Sequence, residues 1–192
     1  MIEVKNLAKS FGKKNVLNNV SFSVPSTGGY AIAGKSGIGK TTLLRLIAGL
    51  EAPDAGTILT EGARISYKFQ EPRLMNWLTA LENVAIVVED KEKANEFALA
   101  LLEKVGLSDA ASLYPDQLSG GMQQRVALAR ALAFEGDVLL LDEPFSAVDE
   151  ETKKDLLSIV KQYSKTHAVI LVTHDPDEIE SLGATVIHLW EE

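Results

Sequence analysis

The sequence contains no cysteine. That single absence removes disulfides, thiolate metal centres and cysteine nucleophiles together, and it fits a reducing compartment. Histidine is scarce as well, with three scattered residues, so no zinc or haem ligand cluster is expected. Positive charge is in short supply: 19 Lys and Arg face 27 Asp and Glu, a net charge of -8. Nucleic-acid binding draws most of its strength from a positive field, so no nucleic-acid partner is expected. Long hydrophobic runs are missing too. FALALL, residues 97–102, falls far short of the ~20 apolar residues that cross a bilayer. The opening MIEVKNLAKS carries charged and polar residues where a signal peptide has an apolar block. Any service to a membrane is therefore expected from the cytoplasmic side, through a partner.

What remains is the composition of a folded globular chain, 46% hydrophobic and 24% charged over 192 residues, which is the size of one domain. Alternating residues in IEVKNL and in VLNNVSFSV (16–24) predict half-buried antiparallel strands, with Val16, Asn18, Val20, Phe22 and Val24 on one face. YAIAG followed by residues 40–50 reads as strand, loop and helix, and RISYKF (64–69) as a further strand. From about residue 75 to 133 the chain turns to Ala, Leu, Glu and Lys, as in KEKANEFALALLEKVGL, whose helix ends at Gly106. VLLL (138–141) and AVILV (168–172) lack polar alternation and suit strands buried on both faces; ATVIHLW (184–190) is a third apolar run. Residues 150–163 read as an amphipathic helix. The expected architecture is α/β with a mainly parallel sheet, an N-terminal antiparallel β-subdomain and an inserted helical subdomain.

Three stretches carry chemistry. GKSGIGKTT, residues 34–42, has the G-x-x-x-x-G-K-[ST] spacing between an apolar strand and a helix. Backbone N–H groups of Gly34, Lys35, Ser36, Gly37, Ile38 and Gly39 are placed to curl around phosphate oxygens. Lys40 would reach the β- and γ-phosphates, and Thr41, followed by Thr42, would offer a hydroxyl to Mg²⁺. VLLLDEPF ends an apolar strand in two carboxylates, Asp142 to hold a metal and Glu143 to polarise an attacking water. His174 follows the AVILV strand, where it could donate to a γ-phosphate. PDQLSGGMQQRVALARAL adds a second glycine-rich turn, with Ser119 as N-cap and Met122, Val126, Ala129 and Ala133 on one helical face. Taken alone, that turn is equally a capped helix and an anion site.

Together GKSGIGKTT, the glutamine of KFQEPRL, LSGGMQQR, VLLLDEPF, SAVD and VTHD stand in the order and approximate spacing of the ATP-binding cassette ATPases. The chain resembles the nucleotide-binding subunit of an ABC transporter from about Phe11 to His174. The resemblance implies a P-loop NTPase fold with a RecA-like core, a single domain over 1–192 in which 1–74 and 134–192 form the core and β-subdomain and 75–133 the helical subdomain. It implies ATP and Mg²⁺ as cofactors and hydrolysis of ATP to ADP and phosphate. Phe11 resembles the aromatic that stacks on adenine, although packing would equally account for it. Gln70 resembles the glutamine that contacts Mg²⁺ or the lytic water, Asp149 an aspartate that crosses between subunits, Glu143 the catalytic glutamate and His174 the switch histidine. Ser119, Gly120 and Gly121 would face the γ-phosphate held by a second copy in a head-to-tail dimer.

The same resemblance implies an integral membrane permease as partner, and hence a cytoplasmic, peripheral location on the inner face of the membrane. Residues 71–77, EPRLMNW, are the expected contact, with core packing of Leu74, Met75 and Trp77 the alternative. KFQEPRLMNWLTALENV is similar to importers of nitrate, sulfonates and taurine. A soluble cassette clamp is the competing reading, and it lacks support from any coiled-coil insertion or basic surface. The stretch between Gly56 and Gln70 is short for the family, so the β-subdomain is expected to lack part of a hairpin.

Overall fold

The fold is built on two sheets whose composition follows from residue alternation. In the computed structural model, which describes residues 1–189, β1 (Ile2–Phe11) and β2 (Lys14–Val24) form an antiparallel hairpin. β3 (Gly28–Ala33) leads through the phosphate-loop sequence into α1 (Lys40–Ile47). β4 (Ala55–Leu59) then returns to pair with β1, completing a three-stranded antiparallel sheet of order β2-β1-β4. β5 (Ile65–Lys68) precedes a helical segment of α2 (Ala80–Ala85), α3 (Ala94–Lys104) and α4 (Gly120–Ala133). The chain closes with β6 (Val138–Asp142), α5 (Glu150–Ser164), β7 (Ala168–Val172), α6 (Pro176–Leu182) and β8 (Thr185–His188).

The second sheet has order β5-β6-β7-β3-β8, and every pairing in it is parallel. All five strands therefore end on one edge, and the loops after β3, β5, β6 and β7 open there together, the usual place for ligands in such sheets. β6 and β7 are buried at every residue, as unbroken apolar runs require. Their alternate side chains serve two cores. Val138 and Leu140 pack with β1, β2 and α1, while Leu139 and Leu141 join a cluster that runs through α2, α3, α4 and α5. α4 is buried on nearly all sides, including Val126, Leu128 and Leu132, and each such aliphatic side chain contributes roughly 1.5–3 kcal/mol by leaving water.

Three local expectations differ from what is observed. Asn18 is exposed and Leu17 is buried, because Asn19 adopts φ 50° and the pairing slips one residue between Leu7–Val20 and Lys9–Leu17. Asparagine tolerates the left-handed region, so the bulge resets the alternation at small cost. The helix after the phosphate loop stops at Ile47 rather than reaching Leu50, with Gly49 at φ 69° ending it. The last strand ends at His188, and Trp190, expected as its end, lies outside the described residues.

Candidate functional site

Gly39 sits at φ 107° as the N-cap of α1, and a side chain there would meet Val16 Cγ1 at 2.7 Å, so only glycine brings this turn against β2. Lys40 is the first residue of the helix and is buried. Its ammonium donates to the carbonyls of Gly34 (2.7 Å) and Lys35 (3.0 Å), closing the loop around a single cation. Residues 34–37 are exposed. Phe11, half exposed, lines the same cavity of about 400 Å³ as Ser36, Gly37, Gly39, Lys40, Thr41, Thr42, Gln70 and Glu143.

The end of β6 brings Glu143 to that cavity, with Asp142 buried behind Thr41. Thr41 Oγ1 donates to Asp142 Oδ1 at 3.1 Å, joining residues 101 apart in sequence, and the Tyr67 hydroxyl lies 3.4 Å from Asp142 Oδ2. Glu143 takes φ 42°, a strained value for a residue with a side chain, while its N–H donates to Val172 O on β7. Gln70 Nε2 lies 3.3 Å from Glu143 Oε2. His174 Nδ1 lies 3.8 Å from Glu143 Oε1, beyond hydrogen-bond reach, on a largely exposed side chain. Its loop is anchored by Lys153 of α5, which binds Asp175 and Glu150 at 2.8 Å each.

Burial pushes the Asp142 carboxyl above the ordinary range, opposed by the Thr41 and Tyr67 hydroxyls and the Lys68 charge. Burial, reinforced by Asp142, raises Tyr67, which stays a hydrogen-bond donor. Lys68 is pulled down by burial to about 8, with Asp142 and Glu143 opposing.

The second glycine-rich turn, Ser119 to Gly121, lies outside this cavity. The Ser119 hydroxyl accepts from Met122 N at 3.2 Å and caps α4, with Ser119 and Gly120 exposed. Gly121 packs so closely that an added Cβ would stand 2.7 Å from Ala147 O, in the loop that leads to Asp149. Asp149 is exposed and caps α5 through Thr152 N (2.9 Å); that amide holds its carboxyl below the usual range. One edge thus presents Ser119, Gly120 and Asp149 to solvent, while the phosphate loop, Gln70 and Glu143 gather at another place.

The three residues after SGGM, to which the sequence reading gave no role, each tie a different segment. Gln123 Nε2 donates to Pro115 O and Leu118 O, fixing the approach to the turn. Gln124 Nε2 donates to Gln70 O (2.9 Å), and Arg125 Nη1 to Val105 O and Gly106 O at the end of α3. Arg130 reaches Pro72 O at 2.8 Å, and the fully buried Asn83 binds Met75, Leu78 and Thr79 backbone groups. The segment 70–79 is therefore held from behind, with Leu74 packed against the helical core and Trp77 75% exposed. Tyr67 and Lys68 were missed as well; the one signal was a lysine inside an otherwise strand-like ISYKF.

With this geometry in view, residues 17–146 match the family described as ABC transporter. The sulfate/thiosulfate import ATP-binding protein CysA of Vibrio vulnificus is 46% identical over 197 residues, covering 92% of this chain and 57% of the relative. The aliphatic sulfonates import ATP-binding protein SsuB 1 of Burkholderia cenocepacia is 40% identical, covering 97% and 60%. The chain thus spans a little over half the length of these relatives. Among solved structures, a dimeric post-hydrolysis state of an ATP-binding cassette bound to ADP and Pi superposes with TM-score 0.91 at 31% identity, covering 98% of this chain and 94% of that one.

Proposed function

The chain belongs to the ABC transporter family, and from that premise we propose that it is the ATP-hydrolysing subunit of an importer, working as an ATP-dependent dimer on a membrane permease. The observation that carries the reading is the Thr41–Asp142 bridge at 3.1 Å, with Glu143 one residue further on and the phosphate loop beside it. The subdivision into a core (1–74 and 134–192) and a helical subdomain (75–133) belongs to the same proposal.

The amides of residues 34–39 and the Lys40 ammonium bind the triphosphate, and Phe11, on the wall of the same cavity, flanks adenine. The donor set fits Mg²⁺: a hydroxyl and a carboxylate are hard oxygen ligands, and among the described residues no group of three acidic or histidine side chains forms a cage of its own. Thr41 and Asp142 would hold the ion, with Gln70 as a further contact, and it would neutralise charge on the β- and γ-phosphate oxygens. Glu143 accepts the proton of a water that attacks the γ-phosphorus in line, releasing ADP and phosphate. His174 and Gln70 orient the γ-phosphate and the water. Ser119, Gly120, Gly121 and Asp149, exposed or next to the exposed turn, meet the nucleotide of the second subunit.

Trp77, with Leu74 and Met75 behind it, supplies the permease contact. Among the described residues no helix is long and apolar enough to cross a membrane, and the proposed location is the cytoplasmic face, held there by the permease. The relatives named above are import subunits for sulfate, thiosulfate and sulfonates. In this family the solute is selected by the permease and its binding protein, so the proposal is confined to import. Titrating ATP with Mg²⁺ into the chain and into a Lys40→Met variant tests it: tight binding by the first and loss in the second is expected, and equal binding would overturn it.

A further inference from the structure

The cavity beside the phosphate loop has a second end. The loop, Gln70 and Glu143 form one end, and Phe11, Lys14 and Val16 of the β1–β2 hairpin wall the other. An aromatic ring, an ammonium and an isopropyl group stand there. None of these three side chains offers a strong hydrogen-bond acceptor, and the one donor among them is Lys14.

Phe11 and Lys14 are paired directly across the hairpin, so their side chains leave it on the same face. The hairpin is tied down behind them. Asp54 Oδ2 accepts from Ser10 N at 2.7 Å, and Asp54 Oδ1 accepts from Lys9 Nζ at 3.2 Å. The Lys9 ammonium also donates to Ala52 O at 2.7 Å and lies 5.3 Å from the centre of the Phe11 ring. Lys9 is thus engaged behind the ring, and Lys40 with the carbonyls of Gly34 and Lys35. Lys14 differs from both. It is exposed and makes no hydrogen bond or ion pair among the described residues.

A purine stacked on Phe11 therefore meets a side-chain donor at this end and no side-chain acceptor. Stacking itself accepts any base, because every base has a π face. The edges differ. Guanine sets two acceptors, O6 and N7, side by side, a pair that a lysine ammonium can bridge, whereas adenine puts its N6 amino donor where O6 would be. We propose that Lys14 is a specificity-determining residue that reads the O6/N7 edge of the base, so that the site takes guanine nucleotides as well as ATP. The inference rests on the nucleotide site proposed above and adds the base class to it.

Calorimetric titration of ATP, GTP and ITP, each with Mg²⁺, into wild type, Lys14→Met and Lys14→Arg tests it. ITP keeps O6 and N7 without the 2-amino group of guanine, and Lys14 is exposed, so neither substitution disturbs the core. Wild type is expected to bind all three nucleotides. Lys14→Met should weaken GTP and ITP by about fivefold or more, the lower end of what one good base-edge pair supplies, with ATP little changed, and Lys14→Arg should restore both. Equal weakening of all three would overturn the inference, because Lys14 would then act as a charge on the phosphates. ITP following ATP instead of GTP, or wild type binding ATP but not GTP, would overturn it too. An unmoved GTP-to-ATP ratio in Lys14→Met, with ATP binding still lost in Lys40→Met, would sink this inference alone. If wild type bound none of the three, the nucleotide site itself would fall and this inference with it.

Discussion

Gln124 of α4 donates through Nε2 to the backbone carbonyl of Gln70 at 2.9 Å, so the helix capped by Ser119 holds the segment that carries the cavity-lining glutamine. Arg130, farther along the same helix, holds Pro72 O at 2.8 Å. Replacing Gln124 with Leu is expected to speed amide hydrogen exchange across residues 70–76 while leaving α4 protected. Unchanged exchange there would mean that the segment is fixed by Arg130 and Asn83 alone.

The exposed Ser119 turn predicts a separation of binding from assembly. Ser119→Phe should leave ATP binding by the monomer nearly unchanged while abolishing ATP-induced dimerisation on size-exclusion chromatography. It also removes the cap on Met122 N, at about 1 kcal/mol of stability. Loss of monomer binding would mean that the turn serves its own subunit.

Gly121 has no room for a methyl group against Ala147 O. Gly121→Ala should therefore force apart α4 and the loop before Asp149 and cost about 1–3 kcal/mol in chemical denaturation. A neutral result would show that the two segments separate freely.

Lys68 gives the stability a pH dependence. Its folded-state value is near 8, against an ordinary 10.5, so between the two the unfolded chain carries the extra proton. Stability from this group is fully present above the unfolded value and is lost as pH falls through the folded one. Wild type should gain stability relative to Lys68→Met between pH 8 and 10, read by denaturant titration at both ends of that range. A constant difference would contradict the burial of the charge.

The parts legible in the sequence were those whose signal is local. GKSGIGKTT needs only a strand, a turn and a helix in succession, and VLLLD and AVILV declare burial on both faces by lacking polar alternation. Ser119 as a cap is equally local. Tyr67 and Gln124 were not legible, because each bonds a group brought near by the sheet order or by helix packing. Tyr67 and Asp142 are 75 residues apart, and Gln124 and Gln70 are 54 apart. The bulge at Asn19 escaped for the opposite reason: Asn18 and Asn19 read as ordinary strand positions, and only the backbone reveals which of them takes the positive φ.

The central claim is that Glu143, set at a strained φ beside Asp142 and Gln70, is the group that takes the proton from the attacking water. The direct measurement is the single-turnover rate of ATP hydrolysis in Glu143→Gln compared with wild type. The account predicts a rate lower by at least about a hundredfold, the typical weight of a positioned general base, with ATP still bound and an ATP-loaded dimer accumulating. Hydrolysis at the wild-type rate would contradict it.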